Sequence, residues 1–268
     1  SKIIEADIAV FGQIKDSLEA VNNHLKTRMH EIEKEKLAPW HQQINDWKEK
    51  HGLNHHLYKA EDDSGPIMPQ AAVQHIYQES QGKAFVTSDV GQHQMFAAQY
   101  YHFDEPRKWI NSGGLGTMGF GLPSAMGVKL AFPDEEVICI TGEGSIQMCI
   151  QELSTCSQYK LPLKIFNINN LALGMVKQWQ DMNYDGRHSS ISYEDSLPDF
   201  VGLAESYGHV GIKITKNSEL KKGIAKALSI KDQLVFVDIY VDPDEHVYPM
   251  QVANGSLKDL WLGKGEKT

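Results

Sequence analysis

Four apolar runs constrain the fold of this sequence more than any other feature. Ala84–Ser88, Val137–Thr141, Leu163–Ile168 and Val235–Val241 are short, mostly apolar and separated by segments of helical periodicity. A strand with one wet face alternates apolar and polar residues, so runs without that alternation are expected to be covered on both sides. Helices are predicted over Gln70–Gln78, Leu122–Leu130, Asp199–Tyr207 and Ser218–Leu228. Another is predicted over Ser145–Tyr159, with Ile146, Cys149, Ile150, Leu153 and Cys156 on one side. This alternation predicts an α/β fold of three layers, a parallel sheet with helices on both faces.

The first 65 residues read differently. Ile3–Phe11 is predicted as a strand and Lys15–Thr27 as a helix with Leu18, Val21 and Leu25 on one side. A lone βα unit cannot bury both faces, so residues 1–36 are expected to be the last strand and helix of a preceding domain. Residues 37–65 read as a linker. They are expected to hold one short helix docked on a neighbour by Trp40, Ile44 and Trp47, then the His- and Asp-rich segment His51–Ser64. The α/β domain is assigned residues 66–268.

An excess of 35 acidic over 26 basic residues, formally −9, repels a phosphate backbone, and no basic stripe compensates. Nucleic acid is therefore not an expected partner, and the mixed run Glu31–Lys36 reads as a solvated helix face. No apolar run approaches the roughly 18 residues of a membrane span. The opening SKIIEADIAV has no secretory pattern, so the expected location is cytoplasmic, or an organelle if a transit peptide was removed. Cys139, Cys149 and Cys156 lack zinc-ligand spacing and read as buried, reduced thiols.

The chemistry concentrates at the ends of two apolar runs. Gly142-Glu143-Gly144-Ser145 follows one and Asn169-Asn170 ends the next, with one predicted helix between. A right-handed βαβ unit brings both ends to the same sheet edge, where open α/β proteins hold ligands. Glycines permit a tight turn and close backbone approach, and the free amides opening a helix attract an anion such as a diphosphate. The Glu143 carboxylate and Asn170 amide oxygen are hard ligands suited to Mg²⁺ shared with phosphate. Taken singly, a GxGS turn is an ordinary tight turn and paired asparagines merely close a strand. Their joint occurrence at this interval is the signal. A generic nucleotide site is disfavoured, since there is neither a P-loop lysine nor a GxGxxG after a first strand.

With these motifs the sequence resembles the thiamine-diphosphate enzymes, whose signature is a Gly-Asp-Gly turn followed by a strand-ending asparagine pair. SDVGQHQMFAAQYY at 88–101, INSGGLGTMGFGLPSAMGVKLAFP at 110–133 and LGMVKQWQDM at 173–182 resemble acetohydroxyacid (acetolactate) synthase catalytic subunits. So do DSLPDFVGLAESYGHVGI and HVYPMQ. The resemblance implies the thiamine-diphosphate-binding fold, with thiamine diphosphate and Mg²⁺ as cofactors. It also implies condensation of pyruvate with pyruvate or 2-oxobutyrate, a step of branched-chain amino-acid biosynthesis.

By the same resemblance, Gln92, His93 and the Val90 backbone approach the diphosphate, with Gly144 and Ser145 binding it. Gly116 presents backbone to the aminopyrimidine, and Met118 is the wedge between the cofactor rings. Glu143, Asn170 and the Ala172 carbonyl hold the metal, while Met175 and Trp179 line the substrate channel. The activating glutamate is expected in an N-terminal domain, so no catalytic residue is assigned within these residues and the chain alone is expected not to turn over. FAD is expected only in the full-length enzyme, together with a homodimer and a small regulatory subunit. One position departs from the pattern: Glu143 stands where the family usually has aspartate, and its extra methylene must bend or displace the metal. The alternatives are another thiamine-diphosphate carboligase or decarboxylase, and a non-catalytic binding module.

Overall fold

The computed structural model describes residues 5–31, 33–51, 62–193, 195–252, 255–256 and 258–267. The chain divides into two compact units, Ser1–His55 and His56–Thr268.

In the first unit, α1 (Ile14–Arg28) lies over the predicted helix and leads through a 3-10 turn, Met29–Glu31, to α2 (Lys34–His51). The strand predicted over Ile3–Phe11 is not formed at residues 5–11. A strand needs a partner for its backbone N–H and C=O groups, and the described residues of this unit contain no other strand. The short docked helix is instead one of 18 residues that runs through Pro39. Its Trp40 and Trp47 pack edge to face on each other, ring centroids 5.6 Å apart, and both stay exposed. Residues 52–61 of the His- and Asp-rich segment lie outside the described residues.

The second unit opens with α3 (Pro69–Ser80), β1 (Phe85–Ser88), α4 (Gln92–Tyr100) and β2 (Trp109–Asn111). Next come α5 (Gly121–Ala131), β3 (Val137–Thr141), α6 (Glu143–Ile146), α7 (Glu152–Gln158) and β4 (Lys164–Asn169). The chain continues through α8 (Gly174–Asn183), α9 (Phe200–Ser206), β5 (Val210–Ile214), α10 (Asn217–Ser229) and β6 (Val235–Tyr240). Three short strands, β7 (Met250–Gln251), β8 (Leu260–Gly263) and β9 (Glu266–Lys267), form a separate antiparallel sheet.

Strands β1 to β6 form one sheet in the order β2-β1-β3-β4-β6-β5, every pair parallel. Successive side chains of a strand turn to opposite faces, and here both faces are apolar. Phe85, Val137, Cys139, Ile165 and Phe236 meet Leu122 and Ala125 of α5, Leu153 and Cys156 of α7, and Phe200 and Ala204 of α9. Their neighbours Val86, Ile138, Ile140, Phe166 and Val237 are fully buried on the other face, which α4 and α10 cover with α3 packed on both. This is the three-layer architecture expected from the apolar runs.

The structure corrects two further expectations and adds two strands. The helix predicted over Ser145–Tyr159 is broken, with i→i+3 turns such as Met148 N to Ser145 O and Cys149 N to Ile146 O between α6 and α7. The broken stretch packs so closely on Gly119 that an added Cβ there would lie 2.9 Å from Met148 Cβ. Cys149 is in consequence only half-buried, whereas Cys139 and Cys156 are buried, and all three are free thiols. Strands β2 and β5 escape sequence reading because both are sheet edges, only half-covered, and lack a continuous apolar run. Among the described residues, no helix is long and apolar enough to cross a membrane.

Candidate functional site

The order in which strands are added reverses between β1 and β3: β2 lies on one side of β1 and all later strands on the other. In parallel sheets the crevice beyond the carboxyl ends at such a point is where ligands bind. Here β1, β3 and β4 end side by side, and the segments leaving them line one cavity of about 860 Å³. Every residue singled out from the sequence borders it: Val90, Gln92, His93, Gly116, Met118, Glu143, Gly144, Ser145, Asn170, Ala172, Met175 and Trp179.

From β1 the chain turns at Gly91 into α4, whose first two residues are Gln92 and His93. His93 is buried, its Nε2 makes no hydrogen bond within the protein, and burial pushes its pKa down to about 4. A neutral imidazole with one orphaned nitrogen is thus held at the cavity wall. Gly142, which follows β3, must be small because an added Cβ would lie 2.6 Å from His93 Nδ1. The Ser145 hydroxyl donates to the Val90 carbonyl at 2.9 Å, tying the β1 and β3 loops together. Gly116 has φ +67°, a left-handed conformation that favours glycine, and Met118 follows half-buried.

Glu143 is the first residue of α6 and almost fully buried. Burial raises its pKa to about 7, against the lowering effect of its own amide and those of Ala172 and Asn170. Its Oε1 accepts the Ala172 N–H at 2.7 Å. From β4, Asn169 and Asn170 lead into Leu171, which holds φ +60°, rare for a branched side chain. That loop is braced from behind: Asp238 Oδ1 accepts from Asn167 Nδ2 (2.8 Å) and Asn169 Nδ2 (3.1 Å), and Asn169 Oδ1 accepts the Leu171 N–H.

Asn170 Nδ2 donates to Gln92 Oε1 at 3.0 Å, so its Oδ1 lies 3.0 Å from Glu143 Oε1 and 2.9 Å from the Ala172 carbonyl oxygen. Turning the amide over would let it donate to both oxygens, but would set its own oxygen against Gln92 Oε1. The first orientation holds, because the Gln92 amide is itself fixed by further partners. Oxygens bound to adjacent corners of an Mg²⁺ octahedron, with bonds of about 2.1 Å, stand about 3 Å apart. The two separations from Asn170 Oδ1 and the hardness of the three oxygens therefore fit that ion. Glu143 meets the requirement despite its extra methylene, its carboxylate folding back toward Ala172. Among the described residues no group of three or more His, Cys, Asp or Glu side chains is arranged to hold a metal ion.

Residues 89–239 match the family described as thiamine pyrophosphate enzyme, C-terminal TPP binding domain. The chain belongs to this family. Over 270 residues it is 53% identical to the acetolactate synthase isozyme 3 large subunit of Escherichia coli (strain K12), an alignment covering 100% of this chain and 46% of that protein. The acetolactate synthase large subunit of Haemophilus influenzae is 53% identical over 267 residues, covering 100% and 45%. That of Corynebacterium glutamicum is 39% identical over 281 residues, covering 99% and 44%. The chain thus spans slightly under half the length of the curated relatives it matches.

Several residues of the site were not singled out from the sequence. Buried Asp89 accepts the Gly121 N–H and the Thr141 hydroxyl, binding together β1, β3 and α5. Asp238 braces the loop through Asn167 and Asn169, Leu173 and Tyr193 crowd Gly144, and Gln178 is completely buried on α8. The signal for Gln178 was legible: it lies three residues after Met175, on the inward side of an amphipathic helix where a polar side chain needs a partner.

Proposed function

We propose that this chain supplies the thiamine-diphosphate and Mg²⁺ site of an acetolactate synthase large subunit, which condenses pyruvate with pyruvate or 2-oxobutyrate in branched-chain amino-acid biosynthesis. The observation that carries the cofactor assignment is the convergence of the Glu143, Asn170 and Ala172 oxygens beside the orphaned His93 nitrogen. Glu143, Asn170 and the Ala172 carbonyl would hold the metal. Gln92, His93, Gly144, Ser145 and the Val90 backbone would face the diphosphate, Gly116 the aminopyrimidine, and Met118 the bend between the rings. Met175 and Trp179, which also line the cavity, would receive the 2-oxo acids.

When bound, thiamine diphosphate supplies the electron sink that lets one 2-oxo acid lose carbon dioxide and its remainder join a second. The residues of this chain orient that group and keep it dry. Burial holds His93 neutral, so it meets the diphosphate as a hydrogen-bonding group and leaves charge neutralisation to the metal and the helix amides. The substrate assignment rests on the relatives' function and on the GMVKQWQ and HVYPMQ segments. The same reading places the protein in the cytoplasm as a homodimer with a small regulatory subunit. It assigns the activating glutamate and FAD to residues outside this chain.

A hybrid large subunit tests the proposal, with these residues replacing the matching part of the E. coli relative and pyruvate as substrate. Acetolactate is the expected product. Another carboligation or decarboxylation product would overturn the substrate assignment. Absence of thiamine-diphosphate binding in the hybrid would favour a non-catalytic module.

A further inference from the structure

We infer that Gln178 is a positioning residue for the metal site, acting through Gln92 to set which atom of Asn170 faces the cation. The inference rests on the metal reading above and extends it to residues that touch neither metal nor cofactor.

The chain of contacts begins at a peptide group, whose polarity cannot be reversed. Val247, fully buried in the segment after β6, donates its N–H to Gln178 Oε1 at 2.9 Å and accepts from Gln178 Nε2 at 2.9 Å. Only one orientation of the Gln178 amide satisfies both bonds. Gln178 Oε1 then also accepts from Gln92 Nε2 at 2.9 Å, and the second Gln92 N–H reaches the Glu245 carbonyl at 3.2 Å. That fixes Gln92, whose Oε1 accepts from Asn170 Nδ2 at 3.0 Å. The remaining Asn170 oxygen is left toward Glu143 and Ala172.

Turning Asn170 over alone would place two oxygens in contact at Gln92. Turning the whole series over would break both bonds to Val247. Each buried polar group so stranded loses its partner where no water replaces it, so the orientation set at Val247 is carried through to Asn170. A glycine opens the path: a Cβ at Gly174, the first residue of α8, would collide with Gln92 Oε1 and Asn170 Nδ2, the two atoms of the terminal bond. The identity of residue 174 therefore reports on the same relay independently of Gln178.

Because the relay joins the metal loop to the segment carrying Val247, metal binding and docking of that segment favour one another, and the coupling is reciprocal. Mg²⁺ demands near-octahedral geometry, whereas Ca²⁺ tolerates a displaced or missing oxygen. Loss of the relay should thus weaken Mg²⁺ more than Ca²⁺, while general loosening of the fold would weaken both alike.

The experiment titrates Mg²⁺ and, separately, Ca²⁺ by calorimetry into the chain premixed with thiamine diphosphate, for the parent, Gln178→Met and Gly174→Ala. Thermal melts serve as a folding control. Both variants are expected to lose about tenfold or more in Mg²⁺ affinity, with a smaller loss for Ca²⁺. Amide exchange at Val247 should slow on adding Mg²⁺ to the parent but not to the variants. Mg²⁺ affinity within twofold of the parent in Gln178→Met, or an equal loss for both ions, would overturn the inference alone. A parent that binds neither ion would overturn the metal reading, and the inference with it. If Gln178→Met melts far below the parent, Gly174→Ala decides by the same criteria.

Discussion

Lys164 offers the most quantitative prediction, because its side chain is buried on the strand that ends in Asn169 and Asn170. Its Nζ donates to the Gln233 carbonyl at 3.2 Å and lies 4.0 Å from Glu136. Burial pushes its pKa from the ordinary 10.5 down to about 8, Glu136 opposing the fall and Lys231 and Lys129 adding to it. A depressed lysine pKa means that the unfolded chain binds the proton more tightly. Between pH 8 and 10.5 stability therefore falls as pH falls, and below pH 8 the full cost of burying the ammonium is present. A shift of that size corresponds to about 3 kcal/mol at pH 7, shrinking to about 1 kcal/mol at pH 10. Lys164→Met keeps the stem's volume and removes the charge, and Glu136 retains Lys231 at 2.6 Å. Urea unfolding of parent and variant, followed by near-ultraviolet circular dichroism, should show the variant gaining more stability at pH 7 than at pH 10, by about 2 kcal/mol. A stability difference that is the same at both pH values would refute the reasoning.

Three shorter predictions concern the cavity. Gly142→Ala should cost about 1–3 kcal/mol by overpacking against His93, read as a lowered urea midpoint, and should weaken thiamine-diphosphate binding. His93→Leu removes an orphaned buried nitrogen; the ligand-free chain should be as stable as the parent or gain about 1 kcal/mol, while calorimetry shows cofactor affinity reduced. Asp238→Leu strands the Asn167 and Asn169 amides, so the melting temperature should fall and Mg²⁺ binding weaken even though residue 238 does not reach the cavity.

The strands buried on both faces were legible because covering both sides removes polar alternation and leaves an unmistakable run, as in Val137–Thr141. Edge strands gave no such signal: Trp109–Asn111 and Val210–Ile214 are half-covered, and their pairing is decided by neighbours distant in sequence. The helix expected to span Ser145–Tyr159 had the right apolar spacing. It is interrupted where the chain packs on Gly119, a tertiary contact that no periodicity encodes. Glu143 and Asn170 could be paired from strand order alone, since β3 and β4 are adjacent and parallel. Asp238 and Asp89 escaped because their role is to hold other side chains, and a partner relation between single polar residues leaves no pattern along the chain. Leu171 likewise conceals its left-handed backbone, which only the Asn169 hydrogen bond and its setting explain.

The central claim is that oxygens from two adjacent strand ends grip one divalent cation together with a diphosphate. Calorimetric titration of thiamine diphosphate into the chain, with and without Mg²⁺, and again for Asn170→Leu, tests it directly. Binding that requires Mg²⁺ in the parent and disappears in Asn170→Leu is the predicted result. Binding indifferent to Mg²⁺, or equally tight in the variant, would contradict it.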